Sequence, residues 1–159
     1  FIAGMSMGGY GAIMNGIRNY NTFSRVASMS TAIITKETLA PGMPNPTPMC
    51  DRESQQAIWD YDTLDTNEKN PYVLLKNYAE HKDEFPEIMI TCGTADPLFQ
   101  NNQKLSDYMN ELGIKHEFIP AEGGHNFDFW RDAITKILDW LPHGDIIPIM
   151  DSGDVFGVK

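Results

Sequence analysis

A serine flanked by glycines stands near the start of the chain. Residues 4–8 read Gly-Met-Ser-Met-Gly, and another glycine follows before a helix-compatible stretch. This is the G-x-S-x-G pattern of a nucleophile elbow, a sharp strand-to-helix turn that lifts the serine hydroxyl above a sheet. The serine backbone is strained in such a turn, and we expect a side chain at Gly4 or Gly8 to collide with the neighbouring strand or helix. The pattern predicts that Ser6 is a nucleophile, the alternative being an ordinary serine in a glycine-rich turn.

His125 is the histidine best placed to act as the base that this serine requires. A serine hydroxyl is a poor nucleophile until a base takes its proton. His125 follows two glycines in a loop between the last predicted strand and the last predicted helix. Loops at the carboxyl ends of strands are where the catalytic side chains of α/β sheets collect. We interpret the three other histidines as surface or packing residues: His81, His116 and His143.

Asp96 is the carboxylate predicted to orient His125. It lies in the segment Cys-Gly-Thr-Ala-Asp-Pro, directly after an apolar strand and before a helix. One helix and one strand separate it from His125, so both loops reach the same edge of the sheet, in the order Ser, acid, His that this motif takes. The alternative interpretation is a helix N-cap before Pro97. Asp128 is the fallback carboxylate, although it is too near His125 in sequence to orient the imidazole easily.

The backbone N–H of Met7 is the expected oxyanion donor. The residue after the nucleophile supplies one such donor in an elbow of this kind. The same turn aims the N-terminus of the following helix at the site, which favours developing negative charge there.

Strands and helices alternate along the chain, which predicts an α/β fold with parallel strands joined by crossover helices. Besides the apolar start of the chain, strands are predicted at 25–30, 87–92 and 116–120, and helices at 8–19, 51–59, 71–81, 98–112 and 127–141. The apolar stripe predicted for the last helix is Phe127, Trp130, Ile134, Ile137, Leu138 and Leu141.

Two segments do not fit the alternation. Residues 40–48 hold four prolines and one glycine, which excludes a helix interior or a central strand. We interpret 31–70 as a candidate cap or lid region around this loop. The tail, 143–159, has weak periodicity and is left unassigned.

Composition excludes several classes of protein. The 159 residues are 42% apolar and 21% charged, typical of a globular chain, and their formal net charge of -10 disfavours binding to nucleic acid or anionic lipid. No apolar run approaches the roughly 20 residues that cross a membrane. The two cysteines, Cys50 and Cys92, form no disulfide framework, so we expect a cytoplasmic location. No metal-ligand spacing and no cofactor-binding fingerprint is present, and we expect neither a metal nor a cofactor.

These motifs together resemble the esterase D-like group of α/β-hydrolases, which holds tributyrin esterases, feruloyl and acetylxylan esterases, and S-formylglutathione hydrolases. The matching segments are 4–12, 23–28, 92–96 and 124–130. The resemblance implies an α/β-hydrolase fold and a catalytic triad of Ser6, Asp96 and His125. The S-formylglutathione hydrolases of the group usually carry histidines where this chain has Met5 and Tyr10, so the resemblance favours tributyrin-type or cell-wall carbohydrate esterases.

A complete member of this group carries earlier strands and an upstream loop with a second oxyanion donor, and neither is found among these residues. We therefore expect 1–142 to be the C-terminal part of a catalytic domain that lacks its N-terminal strands. The strand that ends at Gly4 is then expected to be paired on one side only by this chain.

The leading hypothesis is hydrolysis of short-chain acyl or carbohydrate-linked esters through an acyl-enzyme on Ser6. The alternatives are an S-formylglutathione hydrolase, an acyltransferase with the same triad, and a non-catalytic binding module or inactive fragment. The expected partner is a small-molecule or carbohydrate ester substrate, with no nucleic acid and no membrane. Self-association into a homo-oligomer is left open.

Overall fold

A parallel sheet with helices on both faces forms the part of the chain that the computed structural model describes, residues 1–40 and 51–142. The strands are β1 (Ile2–Met5), β2 (Arg25–Met29), β3 (Glu87–Gly93) and β4 (Glu117–Ala121). The α-helices are α1 (Met7–Arg18), α2 (Arg52–Ile58), α3 (Pro71–Tyr78), α4 (Phe99–Glu111) and α5 (Phe127–Trp140). Short 3-10 helices cover Tyr61–Thr63 and Ala79–Glu84, so the helix predicted at 71–81 changes type at residue 79. Residues 41–50, which include most of the proline-rich segment, and the tail, 143–159, lie outside the described residues.

The four strands are parallel and follow one another in the order β1-β2-β3-β4. Their carboxyl ends therefore meet at one edge of the sheet, as the predicted alternation requires. Within the described residues β1 is hydrogen-bonded to β2 alone, which matches the one-sided pairing expected for it. The α/β fold predicted from the sequence is confirmed.

One face of the sheet is covered by α1, α3 and α4. Its buried core joins the strand residues Val26, Ile88 and Ile90 to apolar residues of the three helices. Close contact requires a glycine at one point, because a Cβ on Gly16 would lie 2.3 Å from a methyl group of Val26. This packing fixes α1, and with it the turn that precedes the helix, against the sheet.

The opposite face is covered by α5, through part of the predicted stripe (Trp130, Ile134 and Ile137) and through two residues outside it, Phe129 and Ala133. Phe129, Ala133 and Ile137 are buried against the sheet, whereas Phe127 is 77% exposed and Leu138 is 52% exposed. Apolar residues occur so often along α5 that two helix faces satisfy the same periodicity. Contact with sheet residues selects the face on which small and large side chains interdigitate, and this contact is not visible in the helix sequence alone.

The described residues of the candidate cap region pack over the start of α1. Their small core contains Ile34, Leu39, Trp59 and Leu64, and Met7 and Tyr10 of α1 pack against it. The Tyr10 hydroxyl also donates a 2.6 Å hydrogen bond to the carbonyl of Lys69. Residues 51–70 thus pack against α1, the helix that follows Ser6, and a cap function for 31–70 stays a prediction.

Local signals account for most of the helix ends. Asn70 caps α3 by accepting a hydrogen bond from Tyr72 N–H, with Pro71 in the first turn, and Gly113, at φ +68°, follows α4. No helix of the described residues is both long and apolar enough to pass through a bilayer.

Candidate active site

Ser6 stands on a strained turn between β1 and α1. Its φ and ψ are 52° and −118°, a left-handed backbone that few serines adopt. Three hydrogen bonds hold this conformation: Ser6 N–H donates to the Met29 carbonyl at 2.8 Å, and the Ser6 carbonyl accepts from Tyr10 N–H at 3.2 Å and from Ala32 N–H at 3.1 Å. The turn is therefore fixed from β2 and from α1 together.

The two glycines of the elbow have different roles. A Cβ on Gly4 would lie 2.2 Å from the carbonyl oxygen of Gly8, so a side chain at residue 4 is excluded, as expected. The corresponding expectation for Gly8 is wrong, because a Cβ there meets no atom within 4 Å. Gly8 is already inside α1, and its Cβ direction leads into open space, whereas β1 runs directly beneath the first turn of the helix.

The structure brings Ser6, Asp96 and His125 together in one chain of hydrogen bonds. His125 Nε2 lies 3.1 Å from Ser6 Oγ, and His125 Nδ1 lies 2.9 Å from Asp96 Oδ2. Since a carboxylate oxygen only accepts, Nδ1 carries the proton that bonds to it, and Nε2 is left to accept the proton of the serine hydroxyl. The imidazole thus has the tautomer that a general base for Ser6 requires.

Asp96 is a partner of His125 and not the N-cap of α4, which is Leu98. Its side chain is fully buried, and its other oxygen, Oδ1, accepts a 2.8 Å hydrogen bond from Leu98 N–H just before α4. Both carboxylate oxygens therefore have a partner, as a buried charge requires. Asp128 is not an alternative partner for His125, because its exposed carboxylate faces Arg131 at 3.5 Å.

His125 is held by a loop with little freedom to shift. Gly123 has φ +142°, and its carbonyl accepts a hydrogen bond from Ala95 N–H at 2.9 Å, so the loops that carry Asp96 and His125 are joined directly. The close approach of these loops depends on Gly93, where a Cβ would lie 2.3 Å from the Gly123 carbonyl oxygen. The acid and the base are thus set by one pair of neighbouring loops.

Met7 is the first residue of α1. Its backbone N–H is among the amides at a helix N-terminus that have no acceptor within the helix, which is the chemistry expected of an oxyanion donor. Its role in catalysis stays a prediction.

The three histidines that we interpreted as surface or packing residues lie away from this site or outside the described residues. His116 bonds to Ser106 Oγ at 2.7 Å and to the Ile114 carbonyl, and His81 pairs with glutamates on the surface. His143 lies outside the described residues. In residues 1–40 and 51–142, no three His, Cys, Asp or Glu side chains cluster so as to hold a metal ion.

Two residues beside the triad were not singled out from the sequence. Trp130, predicted from the sequence only as part of the apolar stripe of the last helix, places its ring 4.9 Å from that of His125, and its indole N–H donates to Ser30 Oγ at 3.1 Å. Ser30 has a positive φ of 48° just after β2. The position of Trp130 five residues after His125 was a usable signal, whereas the sequence gives no sign of the Ser30 backbone.

A buried thiol lies on the other side of the acid. Cys92 is fully buried, and burial, followed in size by the charge of Asp96, raises the pKa of its thiol from 9.0 to about 12. Cys92 is a free cysteine, and Cys50 lies outside the described residues.

Comparisons with known proteins identify the family of the chain. The sequence model of the Esterase family matches residues 1–141. An acetyl esterase of Caldicellulosiruptor saccharolyticus is 30% identical over 149 residues, which are 89% of this chain and 53% of that protein. The crystal structure of an S-formylglutathione hydrolase from Staphylococcus aureus matches with a TM-score of 0.73 at 25% identity, over 87% of this chain and 52% of that one.

A second Staphylococcus aureus structure, fluorophosphonate-binding serine hydrolase F with substrate bound, gives a TM-score of 0.72 at 25% identity over the same shares of the two chains, 87% and 52%. The chain spans about half the length of the curated relative and of these solved structures. The family match over nearly all described residues confirms the resemblance predicted from the motifs, and the chain belongs to the Esterase family of α/β-hydrolases.

Proposed function

We propose that the protein is a serine carboxylesterase in which Ser6 is the nucleophile, His125 the general base and acid, and Asp96 the residue that orients His125. The observation that carries the proposal is the pair of hydrogen bonds on the imidazole of His125, at 3.1 Å to Ser6 Oγ and at 2.9 Å to the buried Asp96 carboxylate. A serine in a strained elbow, paired with a histidine whose tautomer is fixed, has the arrangement of an activated nucleophile.

The reaction follows from this arrangement in two balanced steps. Ser6 Oγ attacks the ester carbonyl carbon while its proton passes to His125 Nε2, and the Met7 N–H stabilises the oxyanion. The same proton then leaves with the alcohol, and the acyl group stays on Ser6 as an ester. A water molecule attacks this acyl-enzyme, gives its proton to His125 Nε2, and releases the carboxylic acid as Ser6 Oγ regains the proton.

The proposed substrates are short-chain acyl esters and carbohydrate-linked esters. Support comes from the acetyl esterase that is 30% identical to this chain. Met5 and Tyr10, which stand in place of the histidines of similar S-formylglutathione hydrolases, point the same way. Tyr10 is used for packing, since its ring lies edge-on to Trp59 with 6.2 Å between the ring centroids.

Replacement of the nucleophile tests the proposal. Ser6→Ala should lower turnover of p-nitrophenyl acetate by about a millionfold and abolish labelling by a fluorophosphonate, because serine and histidine act as a unit. Ser24→Ala, at an exposed serine ahead of β2, serves as the matched control and should leave both unchanged. Substantial activity in the Ser6→Ala protein would contradict the assignment.

Thioester hydrolysis is a second candidate, favoured by the fold match to an S-formylglutathione hydrolase at 25% identity. The same triad attacks either type of carbonyl, so the leaving group distinguishes the candidates. Comparison of kcat/KM for S-formylglutathione and for acetyl esters decides between them. Transfer of the acyl group to an added alcohol, detected in the products, would instead indicate the acyltransferase alternative.

A cytoplasmic location and the absence of nucleic-acid partners also remain proposals. The first is supported by the unpaired, buried Cys92 and the second by the net charge of -10. Cell fractionation followed by fluorophosphonate labelling tests the location, and size-exclusion chromatography tests whether copies of the protein associate.

A further inference from the structure

We propose that Trp130 is a positioning residue that holds the imidazole of His125 in line with Ser6, and that Ser30 fixes the indole of Trp130 in turn. The inference rests on the proposed function, because it concerns the reactivity of the same serine.

The contact between the two rings has the geometry of a specific aromatic pair. The ring centroids of His125 and Trp130 are 4.9 Å apart and their planes meet at 85°, an edge-to-face arrangement within the range of favourable aromatic contacts. Phe127 contacts the same indole in the same manner, at 5.2 Å and 85°. The indole therefore lies between the catalytic imidazole and an exposed aromatic ring.

The imidazole needs such a contact because its other restraints leave one motion open. The imidazole is bonded to Cβ at Cγ and hydrogen-bonded to Asp96 at Nδ1, but a swing of the ring about these two neighbouring atoms still displaces Nε2. The side chain of His125 is 29% exposed, so packing does not enclose it on every side. An indole against the ring limits the swing, and it does so before any substrate has bound.

The indole is itself fixed by a buried and rigid acceptor. Ser30 is fully buried, its N–H donates to the Thr91 carbonyl at 2.8 Å, and its Oγ accepts the Trp130 indole N–H at 3.1 Å. Ser30 also has a positive φ of 48°, a strained backbone conformation that persists only where the surrounding structure holds it.

Ser30 also links the indole to the nucleophile. The residue before it, Met29, accepts the hydrogen bond of Ser6 N–H at 2.8 Å. A continuous series of contacts thus runs from Ser6 through the end of β2 to Trp130 and on to His125. Its two ends are Ser6 and His125, whose Oγ and Nε2 atoms lie 3.1 Å apart. A shift of the indole changes that gap.

The rate at which a fluorophosphonate labels Ser6 tests the proposal, because labelling depends on Ser6 and His125 and needs no later water step. Trp130→Leu should lower the maximal labelling rate by between about tenfold and about a hundredfold, with the half-saturating concentration of phosphonate unchanged. Trp130→Phe should restore part of the rate, since it keeps an aromatic ring but loses the N–H donor.

Ser30→Gly gives a second test that does not alter the apolar core. Glycine accepts a positive φ without strain, so the backbone is kept while the hydroxyl is lost. This variant should show a reduced maximal rate like that of Trp130→Phe, and the double variant should be no slower than Trp130→Phe alone. Trp140→Phe is the matched control, since Trp140 lies at the far end of α5 against Arg25, and it should label at the wild-type rate.

Each outcome has a separate meaning. A wild-type protein that does not react would overturn the proposed function and this inference with it. A reactive wild type with Trp130→Leu at the same rate, as a folded protein by circular dichroism, would overturn the positioning role alone. The positioning role also fails if the half-saturating concentration rises and the maximal rate does not fall, because Trp130 would then contact the phosphonate. Ser30→Gly at the wild-type rate would refute the link through Ser30.

Discussion

Replacement of Asp96 by asparagine separates the chemistry of the acid from its shape. The new amide has nearly the same size as the carboxylate, so the protein should remain folded. Oδ1 of Asp96 accepts a hydrogen bond from Leu98 N–H at 2.8 Å. The amide oxygen must stay on that side, since an NH2 group there would face a second donor. The NH2 group therefore faces His125.

The consequence is a change of tautomer. His125 Nδ1, which lies 2.9 Å from the present carboxylate oxygen, must then accept a hydrogen bond from the amide. Its proton moves to Nε2, which presents a donor to Ser6 Oγ and cannot take the serine proton. A histidine with the wrong tautomer lowers turnover by about four orders of magnitude, which corresponds to about 5.4 kcal/mol in transition-state stabilisation.

Hydrolysis of p-nitrophenyl acetate measures the effect as kcat, beside a thermal melt that reports folding. Asp128→Asn is the matched control, because the Asp128 carboxylate is exposed and faces Arg131 rather than His125. It should retain wild-type kcat. A folded Asp96→Asn protein whose kcat lies within about tenfold of wild type would refute the tautomer argument and remove Asp96 from the triad.

Two further predictions concern residues around the site. Gly93→Ala should destabilise the protein by about 1–3 kcal/mol and lower kcat through a shifted His125 loop, because its Cβ would lie 2.3 Å from the Gly123 carbonyl oxygen. Gly11→Ala is the control in α1, since a Cβ there meets nothing within 4 Å, and it should be neutral or stabilising in chemical denaturation. Equal effects of the two substitutions would contradict the packing argument. Cys92 should resist iodoacetamide at about pH 8 in the folded protein and react after unfolding, because burial holds the thiol protonated. Peptide mass mapping that finds Cys92 modified in the folded protein would contradict this protection. Since its pKa rises from 9.0 to about 12 on folding, Cys92 should also lower the free energy of unfolding as the pH increases across that interval.

The sequence was sufficient to predict the order of the strands and helices and the three residues, Ser6, Asp96 and His125, that hydrogen bonds link in the structure. Strand ends in a parallel sheet meet at one edge whatever the details of packing, so a loop position alone predicts that Asp96 and His125 lie near Ser6. The elbow motif adds the strained turn at Ser6 and the requirement for glycine at residue 4, where the first turn of α1 leaves no room for a side chain. These inferences needed only local patterns and the topology of α/β proteins.

Features that depend on contact between elements were not predictable in the same way. The buried face of α5 is set by the sheet against which it packs, so Phe129 and Ala133 join Ile137 of the predicted stripe in the core, whereas Phe127 and Leu138 are exposed. The freedom of Gly8 to carry a Cβ depends on where β1 passes beneath α1. Ser30 lies where the chain leaves β2, and no residue type in that segment marks its positive φ.

The separation of Ser6, Asp96 and His125 along the chain has a consequence for folding kinetics. Asp96 and His125 are 29 residues apart and belong to one β3-α4-β4 unit, whereas Ser6 and His125 are 119 residues apart. Closing the longer loop costs about 1 kcal/mol more in chain entropy, and contacts of high sequence separation form slowly. We therefore expect Asp96 and His125 to meet before Ser6 joins them during folding, and we expect the return of Ser6 reactivity to be a late step in refolding.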